Sequence, residues 1–189
     1  NGDGLSDVIV GARNSTSFAG RSYVVFGKDT QTTVQLSALG ANGFAINGQS
    51  ASDYSGYTVS SAGDVNGDGL ADLAVYAPLS DPAAGIDAGR HYVVFGKTSI
   101  TAVDLSAVAA GSSGFVINGE MAGDGTISMS GVVSRTRVSS AGDVNGDGLS
   151  DLIVGALNSD PLAGADAGRS YVVYGQTGTI AINLSAVAN

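Results

Sequence analysis

The chain has 189 residues, 43% apolar and only 13% charged, with 8 basic against 17 acidic side chains and a net charge of -9. That balance excludes the basic footprint that nucleic acid or an anionic membrane requires, and it is not the composition of a disordered chain. The absence of Cys excludes disulfides, thiolate metal centres and Cys nucleophiles. Glycine is the outlier at 29 residues against 3 Pro, without the triplet of collagen. Such density suits short strands joined by tight turns. No apolar run approaches the roughly 18 residues of a membrane-spanning helix, so no membrane insertion is expected.

Read in chain order, the sequence repeats itself. It opens inside a motif, Asn1-Gly2-Asp3-Gly4-Leu5-Ser6-Asp7, which returns as Asn145 to Asp151. An aromatic strand follows at Arg21-Ser22-Tyr23-Val24-Val25-Phe26-Gly27 and recurs at Arg90 to Gly96 and Arg169 to Gly175. Next is Gly43-Phe44-Ala45-Ile46-Asn47-Gly48, repeated at Gly114 to Gly119. The block Val59 to Leu70 then recurs without change at Val138 to Leu149. Tyr92 follows Tyr23 by 69 residues and Tyr171 follows Tyr92 by 79. Most of the difference is an insertion within Glu120 to Arg137.

Each period predicts four short strands: one ending at Val59-Ser60-Ser61, then Asp72 to Tyr76, His91 to Phe95, and Phe115 to Ile117. All are rich in Val, Ile and aromatics and bounded by turn residues. Four antiparallel strands per unit of about 70 residues is the pattern of a β-propeller blade. The expectation is an all-β chain of about two and a half blades of a larger propeller or array. Its units are a partial blade over 1–42, a blade over 43–113, and a blade over 114–189 that carries the insertion and is incomplete at its C-terminal edge. Leu36 to Leu39, Leu105 to Val108 and Leu184 to Val187 fit either an edge extension or a Ser-capped helical turn. Irregular structure is the reading preferred for them.

The loop Asp64-Val65-Asn66-Gly67-Asp68-Gly69-Leu70-Ala71-Asp72 sets side-chain oxygens at positions 1, 3, 5 and 9. Gly holds position 6 and the Leu70 carbonyl is available at position 7. Calcium takes six to eight hard oxygens, which alternate residues of a tight loop can supply. Asp143, Asn145, Asp147, Leu149 and Asp151 repeat the set. Asn1, Asp3, Leu5 and Asp7 give positions 3, 5, 7 and 9 of a copy without its first ligand. An EF-hand would need an acid at position 12, where Val75 and Val154 stand, so the loop is expected to join two strands. Magnesium rarely takes an all-protein cage, and zinc is disfavoured with one His and no Cys. Asn-Gly and Asp-Gly also form metal-free turns. Three Asp within nine residues repel one another without a cation, however.

These residues resemble the FG-GAP repeats of integrin α-subunit propellers and of large bacterial surface proteins. The likeness lies in the Asp-x-Asn-x-Asp-Gly-x-x-Asp loop, the apolar strand after it, and the Gly-Ala step at Gly11-Ala12 and Gly155-Ala156. The middle copy has Tyr76-Ala77-Pro78 instead, and the family's Phe-Gly is Ser55-Gly56 here. In the last copy that segment is disrupted near Ser130-Gly131. The resemblance implies a seven-bladed propeller with calcium in hairpin loops on one face. It implies partner contacts mainly on the other face, and an extracellular or cell-surface setting.

Other residues add less. No base stands beside a Ser nucleophile at a recurring spacing, so no catalytic role is expected. His91 reads as a packed or exposed strand residue, and the recurring Tyr23, Tyr92 and Tyr171 as blade packing. Arg21, Arg90 and Arg169 read as structural groups binding carbonyls or a carboxylate of a neighbouring blade. Arg13 to Gly20, Pro78 to Gly89 and Leu157 to Gly168 are read as variable contact loops. The insertion, with Met121, Met129, Arg135 and Arg137, is expected to be exposed and to touch another chain, domain or ligand. Asn14 and Asn183 lie in glycosylation sequons. The expected function is a calcium-stabilised extracellular module for adhesion, recognition or scaffolding. The alternatives are a structural repeat of a filament or matrix, and a non-catalytic module of a secreted enzyme. Its partners would be other blades of the same or a neighbouring chain, with a protein or glycan ligand possible and no nucleic acid. The chain is expected to be a piece of a longer polypeptide or assembly, with Asn1 and Asn189 near flanking blades.

Overall fold

The computed structural model describes residues 1–124, 137–157, 159, 164 and 167–187. Twelve strands form among them: β1 (Val8–Ala12), β2 (Arg21–Val25), β3 (Gly43–Asn47), β4 (Thr58–Gly63), β5 (Asp72–Ala77), β6 (Arg90–Val94), β7 (Val103–Asp104), β8 (Gly114–Asn118), β9 (Arg137–Gly142), β10 (Asp151–Ala156), β11 (Arg169–Val173) and β12 (Ile182–Asn183). Two short helices, α1 (Leu105–Ala109) and α2 (Leu184–Val187), follow β7 and β12. The strands make three sheets, ordered β1-β2-β3-β7, β4-β5-β6-β8-β12 and β9-β10-β11. Consecutive long strands pair antiparallel throughout. These are propeller blades, and the chain is nearly all-β as expected.

The sheets stack through two cores. Val24, Phe44 and Ile46 of the first sheet meet Val75, Tyr92, Val94 and Val116 of the second. The alternate residues Ala74, Val93, Phe115 and Ile117 meet Leu152, Val154, Tyr171 and Val173 of the third. The middle sheet is thus buried on both faces, which is why its strands read as nearly continuous apolar runs. In the third sheet the alternate positions Ile153 and Val172 are 42% and 47% exposed.

Three expectations need correction. Units that begin at Gly43 and Gly114 straddle two sheets, because β3 pairs with β2 and β8 pairs with β6. The repeated Gly-Phe block marks a repeated outer strand and not the start of a blade. Its glycine is there for close approach: a Cβ on Gly43 or Gly114 would lie 1.9 or 2.0 Å from the carbonyl oxygen of Val24 or Val93. Second, the Leu-Ser-Ala segments are not irregular. Leu36–Ala38 is a 3-10 turn, and Leu105 and Leu184 open α1 and α2. No Ser caps α1, whose N-cap is Asp104. Just before each helix, β7 and β12 run parallel to the outer strand of the preceding sheet, as Ile46↔Val103 and Ile117↔Ile182. Asn47 donates to Asp104 at 2.7 Å and Asn118 to Asn183 at 2.8 Å, so each sheet is stitched to the one before it. Third, Glu120 is not part of an exposed loop. Its carboxylate accepts from Arg169 at 2.6 Å, from Ser159 at 3.0 Å, and from the Tyr171 hydroxyl. Met121 is exposed, while Ser130-Gly131, Met129 and Arg135 lie outside the described residues.

Candidate metal centre

The loop between β4 and β5 is shaped before its first acid. The β4–β5 pairing shifts register between Ser61 and Gly63, and Gly63 sits at φ +77°. Such a bulge bends and twists the strand just before Asp64. Asp64 then gathers the loop around its carboxylate. Oδ1 accepts from the N–H of Gly67 at 2.7 Å and of Asp68 at 3.1 Å, and Oδ2 from Gly69 at 2.9 Å. Asn66 Oδ1 accepts from the Asp68 N–H at 2.9 Å, and Asp68 Oδ1 accepts from the Leu70 N–H at 2.8 Å. The Asn66 amide donates to Asp68 Oδ2 at 2.9 Å.

The loop between β9 and β10 repeats this bond for bond. Asp143 accepts from Gly146 at 2.6 Å, Asp147 at 3.1 Å and Gly148 at 2.9 Å. Asn145 and Asp147 repeat the Asn66 and Asp68 contacts, with Leu149 donating to Asp147 at 2.9 Å. In the opening copy Asn1, Asp3 and Leu5 are related in the same way. Both complete loops join the first two strands of a sheet, as expected. Backbone N–H groups, that of Gly148 first, hold the Asp143 carboxyl below its ordinary range. The N–H of Leu5 does the same for Asp3.

Asp72 at position 9 stands apart from the others. It is fully buried and fastens the loop to two distant backbone groups. Oδ2 accepts from Val65 at 2.8 Å and Oδ1 from Gly96, just beyond β6, at 2.7 Å. Asp151 does the same for Val144 and Gly175, and Asp7 accepts from Gly27 and from the α-amino group of Asn1. Burial raises the Asp72 carboxyl to about 6, against the pull of the Gly96 and Val65 N–H groups, and the charges of Asp68 and Asp64 add to the rise. The sequence shows the Gly after each aromatic strand, and only the structure shows its purpose. A Cβ on Gly96 would meet the Ala71 carbonyl oxygen at 2.6 Å and Leu70 Cβ at 2.7 Å.

Among the described residues, no three Asp, Glu or His side chains already converge as metal ligands. The available set in each complete loop is broader: three carboxylates, the Asn oxygen and the backbone carbonyl of position 7. All are hard oxygens, and no nitrogen or sulfur competes. Each carboxylate oxygen keeps capacity beyond the N–H groups it already serves. The Asn66 amide on Asp68 Oδ2 is the contact that a cation would replace. The donor chemistry therefore fits calcium.

The FG-GAP repeat family model matches residues 55–94 and 136–173. Two segments of the chain match the FG-GAP repeat. Each matched segment runs from the approach to the inner strand, through the acidic hairpin, to the third strand of one sheet. No curated protein matches the chain. The FG-GAP blades pack on one another through the two cores above, and no described helix is long and apolar enough to cross a membrane.

On the face opposite the loops, Arg90 and Arg169 find side-chain acceptors offered by the preceding blade. Arg90 and the Tyr92 hydroxyl both donate to Gln49 Oε1, at 2.9 and 2.7 Å. Arg169 and Tyr171 make the same pair of contacts with Glu120. The reading as interblade structure is thereby met for Arg90, Tyr92, Arg169 and Tyr171, whereas the buried Nε of Arg21 has no hydrogen-bond partner among the described residues. Pro78 to Gly89 is less variable than expected. Ser80-Asp81-Pro82 and Asp87-Ala88-Gly89-Arg90 recur as Ser159-Asp160-Pro161 and Asp166-Ala167-Gly168-Arg169. In the first copy Ser80 donates to the buried Asp53 at 3.0 Å, and Asp81 accepts from the Asp87 N–H at 2.8 Å.

Proposed function

We propose that this chain is part of a calcium-stabilised extracellular propeller that serves adhesion, recognition or scaffolding and performs no catalysis of its own. The observation that carries the reading is the pair of acidic hairpin loops on consecutive blades, with the same ligand residues at positions 1, 3, 5, 7 and 9 and the same internal bonding. Asp64, Asn66, Asp68, the Leu70 carbonyl and Asp72 would hold the ion in one loop. Asp143, Asn145, Asp147, the Leu149 carbonyl and Asp151 would hold it in the next. Asn1, Asp3, Leu5 and Asp7 form a partial third set. Bound calcium supplies positive charge and an oxygen-coordinating centre. The protein's part is to hold the loop curled around Asp64 and to tie it through Asp72 to the third strand. The opposite face, with its polar connections and exposed loop residues, is where a protein or glycan ligand would sit.

Calcium that binds the folded loops and not the unfolded chain raises stability by mass action. One site contributes about 2.7 kcal/mol at a concentration roughly 100 times its dissociation constant. Thermal melting in millimolar calcium and in chelator tests this on the native chain and on Asp68→Ala/Asp147→Ala. The native chain should melt higher in calcium, and the variant should lose most of that gain. Superimposable native curves in calcium and chelator would contradict the proposal.

A further inference from the structure

Tyr76 and His91 are register partners on β5 and β6. The equivalent pairs are Gly11 with Ser22 in the first sheet and Gly155 with Ser170 in the third. At the first junction the backbone of the following blade lies directly on this spot. A Cβ on Gly11 would be 2.2 Å from the Gly56 carbonyl oxygen. At the second junction side chains fill it. The Tyr76 and His91 rings stack with centroids 4.3 Å apart and planes 20° from parallel.

His91 is 2% exposed, and neither ring nitrogen has a hydrogen-bond partner among the described residues. Beside it lies a cavity of about 10 Å³, at the lower limit of what one water fills. Glu120 and Asp124, from the connection after β8, line this cavity, as do Ala156 of β10 and Leu184 of α2. Among the described residues, the groups that line this cavity with His91 are therefore the Tyr76 ring from β5, two carboxylates from the connection, and the apolar side chains of Ala156 from β10 and Leu184 from α2. Both carboxylates are engaged. Glu120 holds Arg169, Tyr171 and Ser159, and Asp124 accepts from the Met121 N–H at 3.1 Å.

We propose that the Tyr76–His91 pair makes the junction between the second and third sheets acid-sensitive. The junction closes only over a neutral His91, and protonation of the imidazole parts the third sheet from the second. The first junction has backbone in the same place and stays closed.

Burial agrees with this, since it pushes the imidazole down to about 3. A His exposed by opening regains an ordinary pKa near 6.5. A depressed pKa in the closed state means that stability is held above about 6.5 and lost as pH falls. Between pH 7 and pH 5 the opening constant should rise about 25-fold.

Amide hydrogen exchange, corrected for its intrinsic pH dependence, tests this. It is to be measured on the 189-residue chain and on the variants His91→Ser and Tyr76→Gly/His91→Ser. The double variant recreates the Gly/Ser pair of the other sheets. In the native chain, opening at β9 and β10 should rise about 25-fold from pH 7 to pH 5 while β2 and β3 change little. The variants keep every carboxylate of the native chain and should lose that increment. Imidazole NMR of the native chain supplies a reading that needs no variant: the closed state should keep a neutral ring at pH 5. The proposal is overturned by an equal pH increment in native and variant chains. It is also overturned by equal acid opening of all three sheets, or by a protonated His91 at pH 5 with β9 and β10 still protected.

Discussion

Replacing Gly96 by Ala probes how the acidic loop is fastened to the sheet. The perturbation is one methyl group. It would sit 2.6 Å from the Ala71 carbonyl oxygen and 2.7 Å from Leu70 Cβ, both inside contact distance. The loop or the end of β6 must move, and the 2.7 Å bond from the Gly96 N–H to the buried Asp72 carboxylate lengthens. Overpacking of this kind costs about 1–3 kcal/mol. Weakening a hydrogen bond to a charged group costs about 1.5–3 kcal/mol more when it is lost outright. A net loss of roughly 2–4 kcal/mol is therefore expected. For a chain of this size that lowers the melting temperature by about 5–15 °C. The assay is thermal melting followed by circular dichroism, with urea unfolding alongside. Gly178→Ala is the control, because a Cβ there meets nothing within 4 Å. If Gly96→Ala melts within 2 °C of this control (roughly the scatter of such an assay), the fastening role given to Asp72 and Gly96 is wrong.

Glu120→Ala should cost about 2–4 kcal/mol by urea unfolding, since it strips Arg169, Tyr171 and Ser159 of their shared acceptor. Glu120→Gln should cost under about 1 kcal/mol, because Gln49 serves Arg90 and Tyr92 at the first junction. In chelator, Asp72 should make the folded chain more stable as pH falls. Its folded pKa of about 6 lies above the ordinary 3.8, so its contribution is complete below about 3.8 and lost as pH rises through 6. Melting temperatures of His91→Ser, which lacks the opposing imidazole, should rise between pH 7 and pH 4.5 in chelator and flatten in calcium. A melting temperature that falls with pH in chelator would contradict the raised carboxyl.

Much of this was legible in the chain itself. The unchanged block from Val59 to Leu70 located both hairpin loops, and their lack of an acid at position 12 placed them between strands. The division into blades was not legible, because Gly43 and Gly114 mark a backbone crossing and a repeated motif has no natural starting point. The β7 and β12 stitches are not legible in the sequence, because two-residue parallel pairs leave no periodic signal. In the sequence Asp72 looks like one ligand among several. Its contact with Gly96 spans 24 residues and shows only in three dimensions. His91 had one visible clue. It replaces Ser in the same copy in which Tyr76 replaces Gly, and the two changes meet across one pair of strands.

Calorimetric titration of calcium into the chelator-treated chain tests the central claim most directly. The account predicts binding to at least the two loops at 64–72 and 143–151, with dissociation constants as weak as about 10⁻⁴–10⁻³ M for an extracellular-type site. Asp68→Ala should remove one of these sites, and Asp147→Ala the other. No binding at millimolar calcium would contradict the account and leave the loops as hairpin turns held by Asp64, Asp72 and their counterparts alone.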